Sequence, residues 1–188
     1  MDKMKKPKIV AVVGSLRKDS YNRQLAEIAR AAVSDRADFE LLEYADIPFF
    51  NEDIEAPMPG PVARVRGMVA SADGVWFFTP EYNHFFSGVL KNLLDWLSRA
   101  PSEEDPSPLW EKPAAISGIT PGTLGTALSQ DHLVTLISLL NMRVMNAPRL
   151  RISNAAKQLN AGGRLELTGS APFLGEQADA FLSFIQKG

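Results

Sequence analysis

The sequence predicts an open α/β sheet: five parallel strands in the order 2-1-3-4-5, with helices on both faces. Three observations point there. Short apolar runs rich in β-branched residues alternate five times with stretches of helical periodicity. The runs are continuously apolar, the pattern of strands buried on both sides. Five strands suit this order better than the six of a dinucleotide-binding sheet, and parallel neighbours need the crossover helices that the alternation supplies.

The first run, Ile9 to Val13, is closed by Gly14. Leu25, Ile28, Ala29, Ala32 and Val33 then recur at helical spacing, so residues 20–34 read as an amphipathic helix. Residues 39–44 form a second strand, followed by a long loop through Pro48, Pro57, Pro59 and Pro61. Loops of such length in a compact domain are usually functional or mobile. Residues 62–72 are helical in pattern, with Val62, Val65, Met68 and Val69 on one face. Gly74 to Thr79 is a third strand stopped by Pro80, and Leu90, Leu93, Leu94 and Leu97 mark the next helix. Residues 102–108 hold three acids and two prolines and read as an exposed loop. Pro113 to Gly118 is the fourth strand, residues 123–140 a long helix, Arg143 to Asn146 a short fifth strand, and residues 177–186 a closing helix. With no internal repeat and no linker, residues 1–188 read as one flavodoxin-like domain.

Composition removes several chemistries. The chain has no cysteine, which excludes disulfides, thiolate catalysis and thiolate-bound zinc. Its two histidines, His84 and His132, are far apart in sequence, which disfavours a histidine metal site. Redox chemistry would therefore rest on a bound organic cofactor. A net charge of −2 leaves no footprint for nucleic acid, and the basic cluster Lys3, Lys5, Lys6 and Lys8 reads as a short solvated tail. No apolar run is long enough for a membrane span, the start is a poor signal peptide, and the expected location is the cytoplasm.

Ligands of such sheets bind beyond the carboxyl ends of the strands, where strand order reverses. After strand one stands GSLRKDSYN, residues 14–22. Gly14 permits a tight turn, Ser15, Ser20 and Asn22 offer short polar groups, Arg17 offers a planar charged fork, and a helix start offers free N–H groups. Together they suit a phosphate dianion. Asp19 or Ser20 as a plain helix cap is the competing reading. Both GxGxxG and GxxxxGK[ST] are absent, so a single terminal phosphate such as that of FMN fits better than a pyrophosphate. After strand three stands TPEYNHFFSG, residues 79–88, whose Tyr82, His84, Phe85 and Phe86 could flank a flat ligand or simply pack. After strand four, residues 117–126 (SGITPGTLGT) are small enough to let backbone approach a ligand.

On these segments the chain resembles the NADPH-dependent FMN reductase family, which includes bacterial chromate and quinone reductases. The resemblance runs from about Lys8 to Phe184 and is strongest in GSLRKDSYN and TPEYNHFFSGVLKNLLDWLSR. It implies that Ser15, Arg17, Ser20 and Asn22 hold the FMN phosphate. It implies that Pro80, Glu81, Tyr82 and Asn83 border the isoalloxazine ring, Glu81 through its backbone, and that Ser117 and Gly118 lie along the ring or ribityl chain. The hydride would pass from NADPH or NADH through the flavin to a small acceptor in ping-pong fashion, with no catalytic side chain. Backbone N–H groups of residues 81–83 would stabilise the charge that builds near flavin N1. Where the family has a second glycine after strand four this chain has Thr126, a bulkier residue expected to reshape the flavin or acceptor pocket. The resemblance also implies a homodimer or homotetramer, paired through the helix from Leu90 to Arg99 with Trp96. A flavodoxin-type electron carrier and an FMN-binding sensor are the alternatives. Arg17 and the weak net charge disfavour a carrier, and no output domain accompanies a sensor.

Overall fold

The computed structural model describes residues 6–100, 102 and 106–187. The elements run β1 (Lys8–Val13), α1 (Tyr21–Val33), β2 (Asp38–Leu41), α2 (Gly60–Ala70), β3 (Gly74–Phe78), α3 (Gly88–Ser98), β4 (Pro113–Ile119), α4 (Ala127–Leu139), β5 (Arg143–Val144), β6 (Leu150–Ile152) and α5 (Ala171–Gln186). Lys3 and Lys5 of the basic cluster, and residues 103–105 of the acidic loop, lie outside the described residues.

All strand pairs are parallel, and the main path is β2-β1-β3-β4-β5, the flavodoxin-like order the sequence predicts. The period of two along each strand divides the core into two layers. Ile9, Ala11 and Val13 of β1, with Trp76 and Phe78 of β3, pack under α1 and α5. Val10 and Val12, with Val75 and Phe77, pack under α2, α3 and α4. β1, β3 and β4 lie in the middle of the sheet, so the loops that leave their carboxyl ends converge on one edge.

The fifth strand position differs from expectation. It is split: Arg143 and Val144 pair with Pro113 and Ala114, and Leu150 to Ile152 pair further along the same strand with Ser117 to Ile119. The Met145 N–H still reaches Ala114 O at 2.8 Å, and residues 146–149 leave the ladder between the two pieces, with a cis bond at Ala147–Pro148. Two helix starts also move. α4 begins at Ala127 and not 123, because Gly125 and Thr126 take φ of 62° and 64°, which no α-helix accommodates. α5 begins at Ala171, six residues earlier than its apolar spacing suggests, with a proline in its first turn.

β2 ends at Leu41, three residues before the expected Tyr44. The Leu42 N–H still reaches Ala11 O, after which the Tyr44 hydroxyl donates to Val13 O at 2.7 Å. Burial pushes the Tyr44 pKa well above its usual value.

The proline-rich loop is firmly attached. Pro48 O accepts from Asn92 Nδ2 and Trp96 Nε1, both at 2.9 Å, while the Phe50 N–H donates to Asn92 Oδ1 at 2.7 Å. The Phe50 ring stands edge-on to Trp96 at 5.0 Å. Trp96 is thus 1% exposed under its own chain and is not part of a pairing surface, contrary to expectation. No helix among the described residues is long and apolar enough to cross a membrane.

Candidate active site

Three loops meet at the carboxyl edge of the sheet and enclose a cleft of about 370 Å³. From the first loop come Ser15, Arg17, Ser20, Tyr21 and Asn22; from the second, Pro80, Glu81 and Tyr82; from the third, Ile119, Thr120 and Pro121. Close approach of the first two loops depends on Gly14. A Cβ there would stand 3.0 Å from the Pro80 ring, and the Gly14 N–H donates to Phe78 O at 2.9 Å.

At one end of the cleft α1 begins. Ser20 is its N-cap: the buried hydroxyl accepts from the Arg23 N–H, so the capping reading holds. Capping leaves the N–H groups of Tyr21 and Asn22, at the first two helical positions, without an intrahelical partner. Beside them Arg17 lies over the Tyr21 ring, 5.0 Å from guanidinium carbon to centroid. Asn22 lines the cleft, but its amide is engaged at both ends: Nδ2 donates to Ile119 O and Oδ1 accepts from the Ile119 N–H, each at 3.0 Å. Its main task is to join the first loop to the third.

At the other end the chain makes a two-residue hairpin. Tyr82 and Phe85 exchange both backbone hydrogen bonds, and Asn83 and His84 between them have φ of 51° and 63°. Positive φ at both central residues is the type I′ turn, which asparagine favours at the first position and glycine at the second. His84 therefore sits where glycine belongs. A left-handed residue with a Cβ costs about 1–2 kcal/mol, more than a solvated contact such as that of His84 Nδ1 to Glu81, at 3.5 Å, returns. Replacing His84 by glycine is expected to stabilise the apoprotein by about 0.5–1 kcal/mol, read from urea midpoints. A lower midpoint would refute the turn assignment.

Asn83, at the tip of the turn, is exposed and does not line the cleft. The Tyr82 N–H is used by Phe85 O and is not available for a flavin, which leaves those of Glu81 and Asn83. The Tyr82 hydroxyl crosses to Ser15 Oγ at 3.4 Å, tying the turn to the first loop. Glu81 turns its carboxylate, 8% exposed, toward α4 and accepts the Ser129 N–H at 3.1 Å. The N-cap of that helix, Thr126, gives no side-chain bond, so Glu81 supplies the missing cap and the anion lies at the positive helix end. The Ser129 hydroxyl then donates to Pro80 O at 2.8 Å.

Ser117 and Gly118 are not brought to the cleft. Ser117 is fully buried, and its hydroxyl accepts from Trp76 Nε1 at 2.8 Å and donates to Gln177 Oε1. That uses its only donor and satisfies an indole N–H that would cost about 1–3 kcal/mol if left unpaired. Gly118 lies under Thr126: a Cβ there would collide with the Thr126 hydroxyl and stand 2.5 Å from Thr79 O. Thr126, expected to reshape the pocket, is likewise fully buried and outside the cleft lining, its Oγ1 accepting from Gln130 Nε2 at 3.0 Å. Sequence reasoning missed Tyr21, Ile119, Thr120 and Pro121 as lining residues. All four lie inside or beside the motifs quoted above, and strand alternation past Ser117 was the available signal.

Residues 7–157 match the family model described as NADPH-dependent FMN reductase. The chain belongs to that family. It is 36% identical over 181 residues to an NAD(P)H-dependent FMN reductase of Pseudomonas aeruginosa, with 96% of each chain covered. It is 36% identical over 189 residues to a quinone reductase of Escherichia coli K12, with 97% of each covered. Among solved structures, FerB, a flavoenzyme NAD(P)H:(acceptor) oxidoreductase of Paracoccus denitrificans, superposes with a TM-score of 0.87 at 34% identity, covering 96% of this chain and 98% of that one. As a member of the FMN reductase family the chain is an oxidoreductase, with FMN as cofactor and a reduced nicotinamide as donor. The cleft fits that cofactor: one end offers a helix N-terminus and a guanidinium, and its one carboxylate is turned onto Ser129 N.

Proposed function

We propose that this chain passes electrons from NAD(P)H, through FMN held in the cleft, to a small planar acceptor of the quinone class. The observation that carries the reading is the cleft itself, with a phosphate-type end at α1 and a flat-ring end at the Tyr82–Phe85 turn. The relatives named quinone reductase supply the acceptor class. In the overall reaction NAD(P)H loses a hydride and becomes NAD(P)⁺, while the quinone gains that hydride and one solvent proton and becomes a hydroquinone.

When bound, FMN supplies the two-electron chemistry. The chain's own residues bind and orient. Ser15, Arg17 and the N–H groups of Tyr21 and Asn22 hold the phosphate, and Ser20 fixes the helix end that presents them. Pro80, Glu81 and Tyr82 border the ring, with the Glu81 and Asn83 N–H groups as the donors left for its polar edge. Ile119, Thr120 and Pro121 close the far wall, where sequence reasoning had placed Ser117 and Gly118. Tyr82, Phe85, Leu124 and Leu128 leave apolar surface exposed, and we assign that surface, in place of Trp96, to pairing in a homodimer. The expected setting is the cytoplasm.

The test is an anaerobic titration of FMN-loaded protein with NADPH and NADH. Stoichiometric bleaching of the oxidised flavin, reversed by a quinone, is the expected result. Flavin that stays oxidised with both donors would overturn the reading.

A further inference from the structure

A second cleft, of about 350 Å³, adjoins the flavin cleft on the β2 side of the first loop. Arg17 and Ser15 line both clefts, so they form the ridge between them. The second cleft is built unlike the first. Its apolar lining comes from the half-exposed Leu16 and the buried Val13, Leu42 and Tyr44, and its charged lining from Lys18 and Arg23 beside Glu43. Three cations thus face one carboxylate on a chain whose net charge is −2.

The charged lining is preset. Arg23 meets both Glu43 oxygens, NH1 reaching Oε2 at 3.3 Å and NH2 bonded to Oε1, which holds the guanidinium fork in one orientation. Arg64 NH1 donates to Glu43 O at 2.7 Å and Arg64 NH2 to Asp46 at 2.7 Å, so the backbone that carries Glu43 is fixed too. The Tyr44 ring is anchored by its hydroxyl on Val13 O. With Arg23 balanced by Glu43, Lys18 gives the lining a net positive charge beyond the one Arg17 contributes at the ridge. Apolar lining beside a net positive charge suits an aromatic base that carries a phosphate.

We propose that this second cleft takes the 2′-phosphorylated adenosine end of NADPH, with Lys18 on the 2′-phosphate. The assignment rests on the reductase reading above, which requires a dinucleotide to lie beside the flavin cleft. NADH lacks the 2′-phosphate, so the cleft favours NADPH through KM and not through kcat. Glu43 limits that preference, because its charge opposes the incoming phosphate.

Two measurements on FMN-loaded protein test this. In steady-state kinetics with a quinone, kcat/KM for NADPH should exceed that for NADH by roughly ten-fold or more, the worth of one charge-assisted contact. Lys18→Glu should cut this ratio to about unity through KM for NADPH, while Glu43→Gln should raise it. A wild-type ratio near unity, or a ratio that Lys18→Glu leaves unchanged, would overturn the assignment. The second measurement is calorimetric titration with adenosine 2′,5′-bisphosphate, with 5′-AMP and inorganic phosphate as comparisons. The bisphosphate should bind more tightly than 5′-AMP, lose that advantage in Lys18→Glu, and leave the flavin in place. Equal binding of the two nucleotides, binding matched by phosphate alone, or release of FMN would each refute the cleft. If neither donor bleaches the flavin, the reductase reading fails by itself, and the calorimetry still decides the cleft.

Discussion

Replacing Arg17 by alanine is expected to weaken FMN binding by about 1.5–3 kcal/mol, roughly ten- to hundred-and-fifty-fold, the range of a hydrogen bond made to a charged group. Arg17 is exposed, forms no ion pair among the described residues, and packs over the Tyr21 ring. Stability of the apoprotein should therefore move by less than about 0.5 kcal/mol. The two readouts separate a binding role from a folding role. Arg17→Lys keeps the charge but loses the planar fork, so it should recover only part of the affinity. The loss should shrink in high salt if it is electrostatic. Fluorescence titration of the apoprotein with FMN checks all of this, and an affinity equal to wild type would remove Arg17 from the phosphate end.

A larger effect on stability is expected at Gly118. A Cβ there meets the Thr126 hydroxyl and comes within 2.5 Å of Thr79 O. The first obstacle is a side chain and the second is backbone in the middle of the sheet, where the Thr79 N–H is bonded to Ser117 O at 2.9 Å. Gly118→Ala should cost about 3 kcal/mol or more, at the upper end for overpacking. Thr126→Gly alone should change stability by less than about 1 kcal/mol, because relief at φ 64° offsets the lost packing. In the double variant Thr126→Gly should return part of the loss and not all of it, since Thr79 O remains. Urea denaturation of the four proteins gives the coupling directly. Full recovery in the double variant would show that the Thr126 side chain is the sole obstacle, and a Gly118→Ala protein as stable as wild type would refute the close approach.

Most of the fold was legible because its causes are local. β1, β3 and β4 are unbroken apolar runs, and each is followed by a turn signal. The split fifth strand was not legible: Leu150 to Ile152 is three residues long with an exposed arginine in its middle, and only its pairing to Ser117–Ile119 makes it a strand. α4 starts later than its spacing predicts, for a related reason. Its apolar spacing continues through Leu124, while the left-handed pair at 125 and 126 is imposed by packing against residues 118 and 151.

The site shows the same division. Segments were readable, but the direction in which each side chain points was not. Ser117 resembles a ligand group by type and place, yet the pleat turns it to Trp76 and Gln177, partners 41 and 60 residues away. The resemblance places Glu81 at the ring through its backbone, and only the missing cap of α4 explains where its carboxylate goes. Trp96 has the look of an exposed anchor until the proline loop is folded over it.

The paired hydrogen bonds between Asn22 and Ile119 have a consequence for affinity. They lock the helix that presents the phosphate end to the strand that leads into the far wall, and the Tyr82–Ser15 contact closes the third side. The frame of the cleft is therefore ordered by folding itself, before a cofactor arrives. A ligand that enters such a frame forfeits little free energy to loop ordering, so more of each contact is expressed as binding. The same rigidity makes the cleft exacting: a cofactor longer or shorter than the frame allows could not be met by a shift of one wall alone.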